Sequence, residues 1–269
     1  MPEGHTIRRQ AKAFAAELAG DKVVVTSPQG RFEAGAALLD GHELVRAEAA
    51  GKHLFLRFSN GRYLHVHLGL IGKWDFGVPP APEPTGAVRV RLEGPRAWAD
   101  LRGATLCEVV TSAQVRGVLR RLGPDPLRRD GRREEFVRRA GRRVLPIAAL
   151  LMDQEVVAGV GNVYRAEVLF RARLSPDVPG RELDPGVVGA LWDDLSTLMR
   201  DGVKRGVIVT TLPADRPPGT RRGVPPREAA HYVYRRTGLP CRVCGTPVAT
   251  RELNGRNLYW CPVCQHIRP

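Results

Sequence analysis

Two residues at the start of the chain, Pro2 and Glu3, are of types that can perform chemistry together. Initiator methionine is normally removed before a small residue, and its removal would leave Pro2 with a secondary amine as its backbone nitrogen. Such an amine titrates far below lysine, so a useful fraction is an uncharged nucleophile at neutral pH. The alternative interpretation is purely structural, because proline also suits the first turn of a helix.

Four cysteines near the end of the chain form two C-x-x-C pairs separated by sixteen residues: Cys241, Cys244, Cys261 and Cys264. This pattern predicts one tetrahedral, structural zinc ion per chain, with no open position for a substrate. The intervening residues predict a two-stranded hairpin over 248–253 and 258–260, with NGRN as its turn. Arg256 in that turn would either hold a phosphate bidentately or be a solvated turn residue.

The segment AGVGNVYR, residues 158–165, joins two predicted helices and contains two glycines that allow a ligand to approach the backbone. The amides at the start of the second helix, with Asn162 beside them, could bind an anion. Simple turn formation is the alternative for this segment. Lys52, in AAGKHLFL, could bind phosphate or be a solvated charge at a strand start.

Composition points to a nucleic-acid partner. The 269 residues contain 42 Lys and Arg against 28 Asp and Glu, a net charge of +14. Such a charge attracts polyanions, although an arginine-rich proteome would produce the same bias. No run of eighteen apolar residues exists, and Arg8, Arg9 and Lys12 interrupt any signal-peptide core. The clustered cysteines favour a reducing, cytoplasmic compartment.

Hydrophobic periodicity predicts an α+β protein. The helical spacing of apolar residues from Ile7 onward predicts an amphipathic helix that Gly20 closes, with Pro2 and Glu3 where the helix begins. Residues 22–116 predict short strands, with the clearest hairpin turning at Asn60-Gly61. An arginine-rich region with the rigid turn GPDPL then marks a domain boundary.

The remainder of the chain predicts helices before the zinc hairpin. Helices are expected over 146–151, from about 163 and over 185–205, followed by a long loop over 208–225. The predicted domains are a β-sandwich with a flanking helix over 1–122, a helix-two-turns-helix domain over 123–236 and a zinc finger over 237–269.

Seven segments in this order resemble one family: PEGH, GKHLF, HLGLIG, ADLRG, LGPDPL, LLMDQEVVAGVGNVYRAEVLF and GRNLYWCPVCQ. Over nearly its full length the chain resembles the formamidopyrimidine-DNA glycosylase and endonuclease VIII family of bifunctional base-excision repair enzymes. The resemblance implies a damaged double-stranded DNA substrate, a monomer without membrane attachment and a bacterial, nucleoid-associated location. It implies no cofactor for the chemistry itself, which would end in β- and δ-elimination.

The resemblance also implies individual roles. Pro2 would attack the deoxyribose C1′ and form a Schiff base, while Glu3 would transfer protons. Lys52 would contact the sugar-phosphate near the lesion. The remaining DNA contacts would come from the flanking-phosphate residues Asn162 and Arg256, the wedge residue Leu70 that fills the gap of a flipped base, and the loop residue Arg102 near the orphaned partner base.

The sequence leaves the lesion open. PEGH resembles the endonuclease VIII branch, which favours oxidised pyrimidines, whereas HLGLIG looks more like the branch that prefers oxidised purines. We expect the pyrimidine class, with 8-oxoguanine and formamidopyrimidine as the alternative. Two further alternatives are a non-catalytic damaged-DNA-binding zinc protein and an abasic-site lyase with weak glycosylase activity.

Overall fold

The computed structural model describes residues 2–266 and divides the chain into two compact units, 1–121 and 122–269. The first unit contains three helices and eight strands. The helices are α1 (Gly4–Glu17), α2 (Glu33–Ala37) and α3 (Ser112–Arg121). The strands are β1 (Val24–Thr26), β2 (Leu44–Ala50), β3 (His53–Phe58), β4 (Tyr63–His67), β5 (Lys73–Gly77), β6 (Val88–Glu93), β7 (Trp98–Arg102) and β8 (Leu106–Val110).

These strands form two antiparallel four-stranded sheets, in the orders β1-β6-β7-β5 and β2-β3-β4-β8. One apolar cluster fills the space between them, and alternate residues of β3 and β4 such as Leu54, Leu56 and Val66 are fully buried in it. Helix α1 contributes Ile7 and Phe14 to the same cluster. The predicted β-sandwich with a flanking helix is therefore confirmed.

The second unit contains four helices and the two-stranded hairpin. Its elements are α4 (Arg133–Gly141), α5 (Ile147–Leu150), α6 (Asn162–Arg171), α7 (Pro185–Arg205), β9 (Ala249–Leu253) and β10 (Arg256–Trp260). Helix α7 has the bounds that the sequence predicts, because strong signals set both ends. The Asp184 side chain accepts the N–H of Gly186 at 2.7 Å, Pro185 is at the first helical position, and Gly206 ends the helix with φ +76°.

Several local expectations are wrong. Helix α1 begins at Gly4 with Glu3 as its N-cap, which agrees with the helix start expected at Pro2 and Glu3, but it ends at Glu17, three residues before Gly20. Residues 22–116 include α2 and the start of α3 rather than strands alone. Helix α3 forms because Thr111 and Gln114 make a capping box: the Thr111 N–H donates to Gln114 Oε1 at 2.8 Å, and the Gln114 N–H donates to Thr111 Oγ1 at 3.3 Å.

Both hairpin turns also differ in detail from the sequence prediction. In the β3-β4 turn only Gly61 has positive φ, at +79°, and its N–H donates to Phe58 O. In the β9-β10 hairpin, Asn254 and Gly255 have φ of +51° and +69°, the pattern of a two-residue type I′ turn. Arg256 is consequently the first residue of β10 and not a residue of the turn.

The expected long loop over 208–225 contains no strand or α-helix, but a buried carboxylate binds both the start of the loop and the segment that follows it. Glu167, on α6, accepts the N–H groups of Tyr232, Val233 and Tyr234 at 2.7–2.9 Å and the hydroxyl of Thr210. Its side chain is fully buried, so these donors replace the water that the carboxylate loses on folding.

Replacing Glu167 should therefore destabilise the second unit. We expect Glu167→Ala to lower the free energy of unfolding by about 3 kcal/mol, because it leaves several buried N–H groups without an acceptor. Glu167→Gln should also destabilise, since its amide nitrogen would face N–H donors. Urea denaturation measures the free energy of unfolding, and limited proteolysis detects loss of structure near 208–234. The exposed Glu182→Ala is the control, and an equal effect of the two alanine variants would contradict the assignment.

Candidate DNA-binding and catalytic site

The predicted nucleophile and its neighbouring carboxyl group lie at the start of α1. Pro2 is half-buried, and Glu3 is fully buried at the N-cap of the helix, where its carbonyl oxygen accepts the N–H of Thr6 at 2.9 Å. His5 is also buried, and burial lowers its pKa to about 4, so its imidazole is uncharged at neutral pH. The positive end of the helix dipole favours a carboxylate at this point.

Lys52 occupies a two-residue turn between β2 and β3. Ala50 pairs with His53 across the turn, and Gly51 has φ +56°, as the first position of a type II′ turn requires. The lysine is half-buried. His53 also pairs with His67, the last residue of β4. The Lys52 turn therefore lies at the end of the sheet at which β4 ends.

The predicted wedge residue lies in the turn that follows β4, at the same end of the sheet as the Lys52 turn. Leu70 is 52% exposed and Ile71 is 81% exposed, which is a large apolar surface for adjacent residues. Gly69 has φ +67°, and a Cβ on it would lie 1.8 Å from Thr105 Oγ1, so the turn depends on glycine. Sequence reasoning missed Ile71, although the flanking glycines marked the pair as a turn.

Arg102 is in a different setting from the one expected. It is the last residue of β7 and not a loop residue. Its guanidinium donates to Asp75 Oδ2 at 2.7 Å and to Asp100 Oδ2 at 3.1 Å, and it also bonds the carbonyl oxygen of Thr85. Arg102 belongs to the strand because its backbone pairs with Lys73 and Val88 of the two neighbouring strands, and the carboxylates hold its side chain. Its contact with the partner strand of DNA stays a prediction.

In the second unit, the turn before α6 is held by one amide side chain. Gln154 accepts the N–H of Gly159 at 2.9 Å and donates to the carbonyl oxygen of Val160 at 3.0 Å. Gly159 has φ +87°, and Gly161 at the N-cap has no side chain to cap the helix. The first turn of α6 therefore has the geometry that favours an anion.

The sequence predicts Asn162 and Arg256 as separate phosphate contacts. In the structure, Asn257, the residue after Arg256, links their two segments. Asn162 Nδ2 donates to the carbonyl oxygen of Asn257 at 3.0 Å, and Arg165 Nη2 donates to the same oxygen at 3.0 Å. Arg165 also donates to Asn162 Oδ1. Both of these α6 side chains are buried, so they fix the turn against the hairpin that carries half-buried Arg256. Sequence reasoning missed Arg165.

The four predicted metal ligands converge. The four Sγ atoms lie within 4.8 Å of one another, with Cys241–Cys264 at 3.8 Å and Cys244–Cys261 at 3.5 Å. A tetrahedral zinc ion with Zn–S bonds of about 2.3 Å requires sulfurs roughly 3.8 Å apart, so the residues fit that ion. Among residues 2–266, this is the one cluster of His, Cys, Asp or Glu arranged to hold a metal.

No helix within the described part of the chain is both long and apolar enough to cross a membrane. Three family models match successive parts of the sequence: the N-terminal domain of formamidopyrimidine-DNA glycosylase at residues 1–107, its H2TH domain at 122–213, and the zinc finger found in FPG and IleRS at 238–267.

Curated relatives match over the whole chain. Endonuclease 8 1 of Mycobacterium tuberculosis is 48% identical over 269 residues, which cover 98% of this chain and 100% of that protein. Formamidopyrimidine-DNA glycosylase of Thermus thermophilus is 34% identical, covering 100% of this chain and 99% of that protein.

Among solved structures, the complex of Lactococcus lactis Fpg with DNA containing an abasic site matches with a TM-score of 0.81 at 21% identity, covering 98% of this chain and 100% of that one. This likeness shows the fold of a DNA glycosylase with a helix-two-turns-helix domain and a four-cysteine finger. With the sequence relatives, it establishes that the chain belongs to the formamidopyrimidine-DNA glycosylase and endonuclease VIII family of DNA repair enzymes.

The metal site gives a first test. Cys261→Ser should lower the bound metal from about one ion per chain to well below half, because a tetrahedral site with three thiolates binds more weakly. Cys107→Ser, which changes a half-buried cysteine on β8, should leave the metal content unchanged. Elemental analysis after exhaustive dialysis measures both, and full metal retention by the Cys261 variant would contradict the assignment.

Proposed function

We propose that the protein is a bifunctional DNA glycosylase and abasic-site lyase whose nucleophile is the amine of Pro2, freed by removal of Met1. The observation that carries the proposal is the position of Pro2 directly before a fully buried glutamate at the start of a helix, in a member of this repair family. A protein that only binds DNA has no use for an N-terminal secondary amine beside a buried carboxyl group.

The chemistry follows from these two groups. The Pro2 nitrogen forms a bond to C1′ of the damaged nucleotide as the glycosidic bond breaks, and the departing base takes up a proton from solvent. The Glu3 carboxylate accepts the proton of the Pro2 nitrogen and passes it to O4′ as the C1′–O4′ bond breaks, which opens the sugar ring and leaves an iminium ion between Pro2 and C1′. That ion accepts the electrons released when the C2′ proton is removed and the 3′ phosphate leaves. A second elimination then releases the 5′ phosphate.

Residues of both units would hold the substrate. Lys52 would contact the sugar-phosphate, and Leu70 with Ile71 would fill the space of the flipped nucleotide, which their exposure supports. Asn162 and Arg256 would grip flanking phosphates. Asn162 uses one amide N–H on Asn257, and an amide nitrogen carries two, so the second can reach a phosphate oxygen.

We further propose zinc as the metal of the four-cysteine site, with a purely structural role. The substrate would be damaged double-stranded DNA, and the protein would act as a monomer in the bacterial cytoplasm, associated with the nucleoid. Oxidised pyrimidines are the proposed lesion class, supported by the PEGH opening and by the higher identity to a relative named endonuclease 8 than to one named formamidopyrimidine-DNA glycosylase. Oxidised purines are the second candidate, supported by HLGLIG.

Borohydride trapping tests the nucleophile, because reduction converts the iminium ion into a stable adduct. We expect the Met1-processed protein to form adducts on duplexes with an abasic site, 5,6-dihydrouracil or 8-oxoguanine, with dihydrouracil ahead of 8-oxoguanine. Glu3→Gln should slow the reaction by about 10²- to 10⁴-fold. An added N-terminal residue converts the amine into an amide and should abolish the adduct.

The outcomes of trapping separate the candidates. Unchanged trapping by the extended protein would exclude Pro2, and a faster reaction on 8-oxoguanine would favour the purine branch. Tight binding without any adduct would support the non-catalytic alternative. Adducts on the abasic duplex alone would indicate a lyase with weak glycosylase activity.

The phosphate contacts are tested separately. Arg256→Ala and Asn162→Ala should weaken binding to all three duplexes by a similar factor, since phosphate contacts carry no base information. Arg251→Ala, on the same hairpin but paired with Asp177, is the matched control and should weaken binding less. Fluorescence anisotropy measures the affinities. A loss confined to one lesion would show that the residue reads the base.

A further inference from the structure

One face of the second sheet carries an unusual polar cluster. While Leu54, Leu56 and Val66 enter the core, the opposite face of β3, β4 and β8 presents His53, His65, His67, Phe55 and Glu108 in adjacent register. A cavity of about 560 Å³ adjoins it, lined by His65, Glu108 and residues of α3. Three histidines on a half-covered sheet face are not needed for packing.

Hydrogen bonds join three of these residues into a chain. His65 Nδ1 is 3.0 Å from Glu108 Oε1, and His53 Nδ1 is 2.9 Å from His65 Nε2. An ionised carboxylate only accepts, so His65 must donate from Nδ1. A neutral His65 then accepts at Nε2, so His53 also donates from Nδ1. The pairing fixes both tautomers, and we call Glu108, His65 and His53 the histidine chain.

The rings of this cluster stay uncharged at neutral pH. Burial, followed by the influence of His65, His67, Arg121 and Lys52, lowers the pKa of His53 to about 3. Burial also lowers the pKa of His65 and, together with Lys52 and His65, that of His67; the carboxylate of Glu108 opposes the shift at His65. Because the rings stay neutral, each has one donor nitrogen and one acceptor nitrogen for hydrogen bonding.

The inner end of the histidine chain meets the turn that carries Lys52. His53 closes that turn by pairing with Ala50, so anchoring the His53 ring restrains the turn at its last residue. Across the strand pair, His67 Nδ1 accepts the N–H of Gly69 at 3.2 Å, at the start of the wedge turn. The cluster thus adjoins both turns at this end of the sheet, the turn that carries Lys52 and the turn that carries Leu70.

We propose that the histidine chain is a positioning device that holds the Lys52 turn in the orientation in which the ammonium group meets a DNA phosphate. The inference rests on the proposed function only in taking Lys52 as a phosphate contact. His53 acts on the Lys52 turn, His65 holds His53, and Glu108 fixes the tautomer in which His65 accepts at Nε2; none of the three touches a substrate atom.

Three substitutions at His65 separate the two hydrogen bonds. Glutamine places an oxygen near the position of Nε2 and can still accept from His53. Asparagine reaches only the position of Nδ1 and keeps the bond to Glu108. Phenylalanine preserves the stacking on Phe55, whose ring centroid is 4.5 Å away, but makes neither bond. We therefore expect His65→Gln to behave as the unchanged protein, and His65→Asn to behave as His65→Phe.

The assay is the salt dependence of binding to a duplex with a tetrahydrofuran abasic analogue. Lys52→Ala should reduce the slope of log K against log salt by about 0.9, the loss of one phosphate contact. His65→Phe and His65→Asn should reduce this slope by a similar amount and weaken binding roughly fivefold at low salt. The affinity of His65→Gln should stay within about twofold of that of the unchanged protein. The double variant Lys52→Ala/His65→Phe should bind no more weakly than Lys52→Ala. His42→Phe, outside the cluster, is the control.

Nitrogen NMR of the histidine rings provides a readout that does not depend on catalysis. His53 and His65 should both carry the proton on Nδ1 at pH 7, and His53 should lose this signature in His65→Phe while the melting temperature shows a folded protein. Other tautomers, additive effects of Lys52→Ala and His65→Phe, or equal binding by the Gln and Asn variants would overturn the proposal. Failure of borohydride trapping with this binding pattern intact would instead overturn only the proposed reaction.

Discussion

The burial of charged and amide side chains on α6 is the constraint on which the second unit depends. Nine of its ten residues, 162–170, are buried, and they include Asn162, Arg165 and Glu167. Removing such groups from water costs several kcal/mol each unless hydrogen bonds compensate. Compensation requires partners in fixed places, so each buried group specifies the position of another segment.

The segments that hydrogen-bond to α6 are those whose positions must be fixed for the proposed function. Asn162 and Arg165 share the carbonyl oxygen of Asn257, which fixes the hairpin beside Arg256. Glu167 gathers Thr210 and the backbone of 232–234. One helix thereby positions the β9-β10 hairpin, the start of the 208–225 loop and the segment that follows this loop. The four cysteines flank the same hairpin in sequence, and their Sγ atoms converge.

The sequence predicts those features whose physical cause is local. The two C-x-x-C pairs determine a metal site by spacing alone, and Asp184, Pro185 and Gly206 determine the ends of α7. The capping box of Thr111 and Gln114 is an equally local signal. A prediction that overlooks it assigns the start of α3 to a strand. By contrast, the placement of Arg102 depends on Asp75 in a neighbouring strand, which only the sheet register reveals.

The same distinction explains why the Pro2–Glu3 pair is visible in the sequence but the histidine chain is not. Pro2 and Glu3 are adjacent in sequence, so their proposed chemistry can be inferred without the fold. The histidine chain links residues 53, 65 and 108, and only the register of β3, β4 and β8 makes them neighbours. Chemistry carried by adjacent residues can thus be inferred from a dipeptide, whereas residues that meet across strands are set by long-range pairing. Lesion preference belongs to this second class, because a base is recognised by contacts that converge from separate segments. The loop over 208–225 is a further case, because Arg216 is buried and donates to Thr211 while most residues over 212–224 are exposed, so such tertiary contacts rather than a local sequence signal set its conformation.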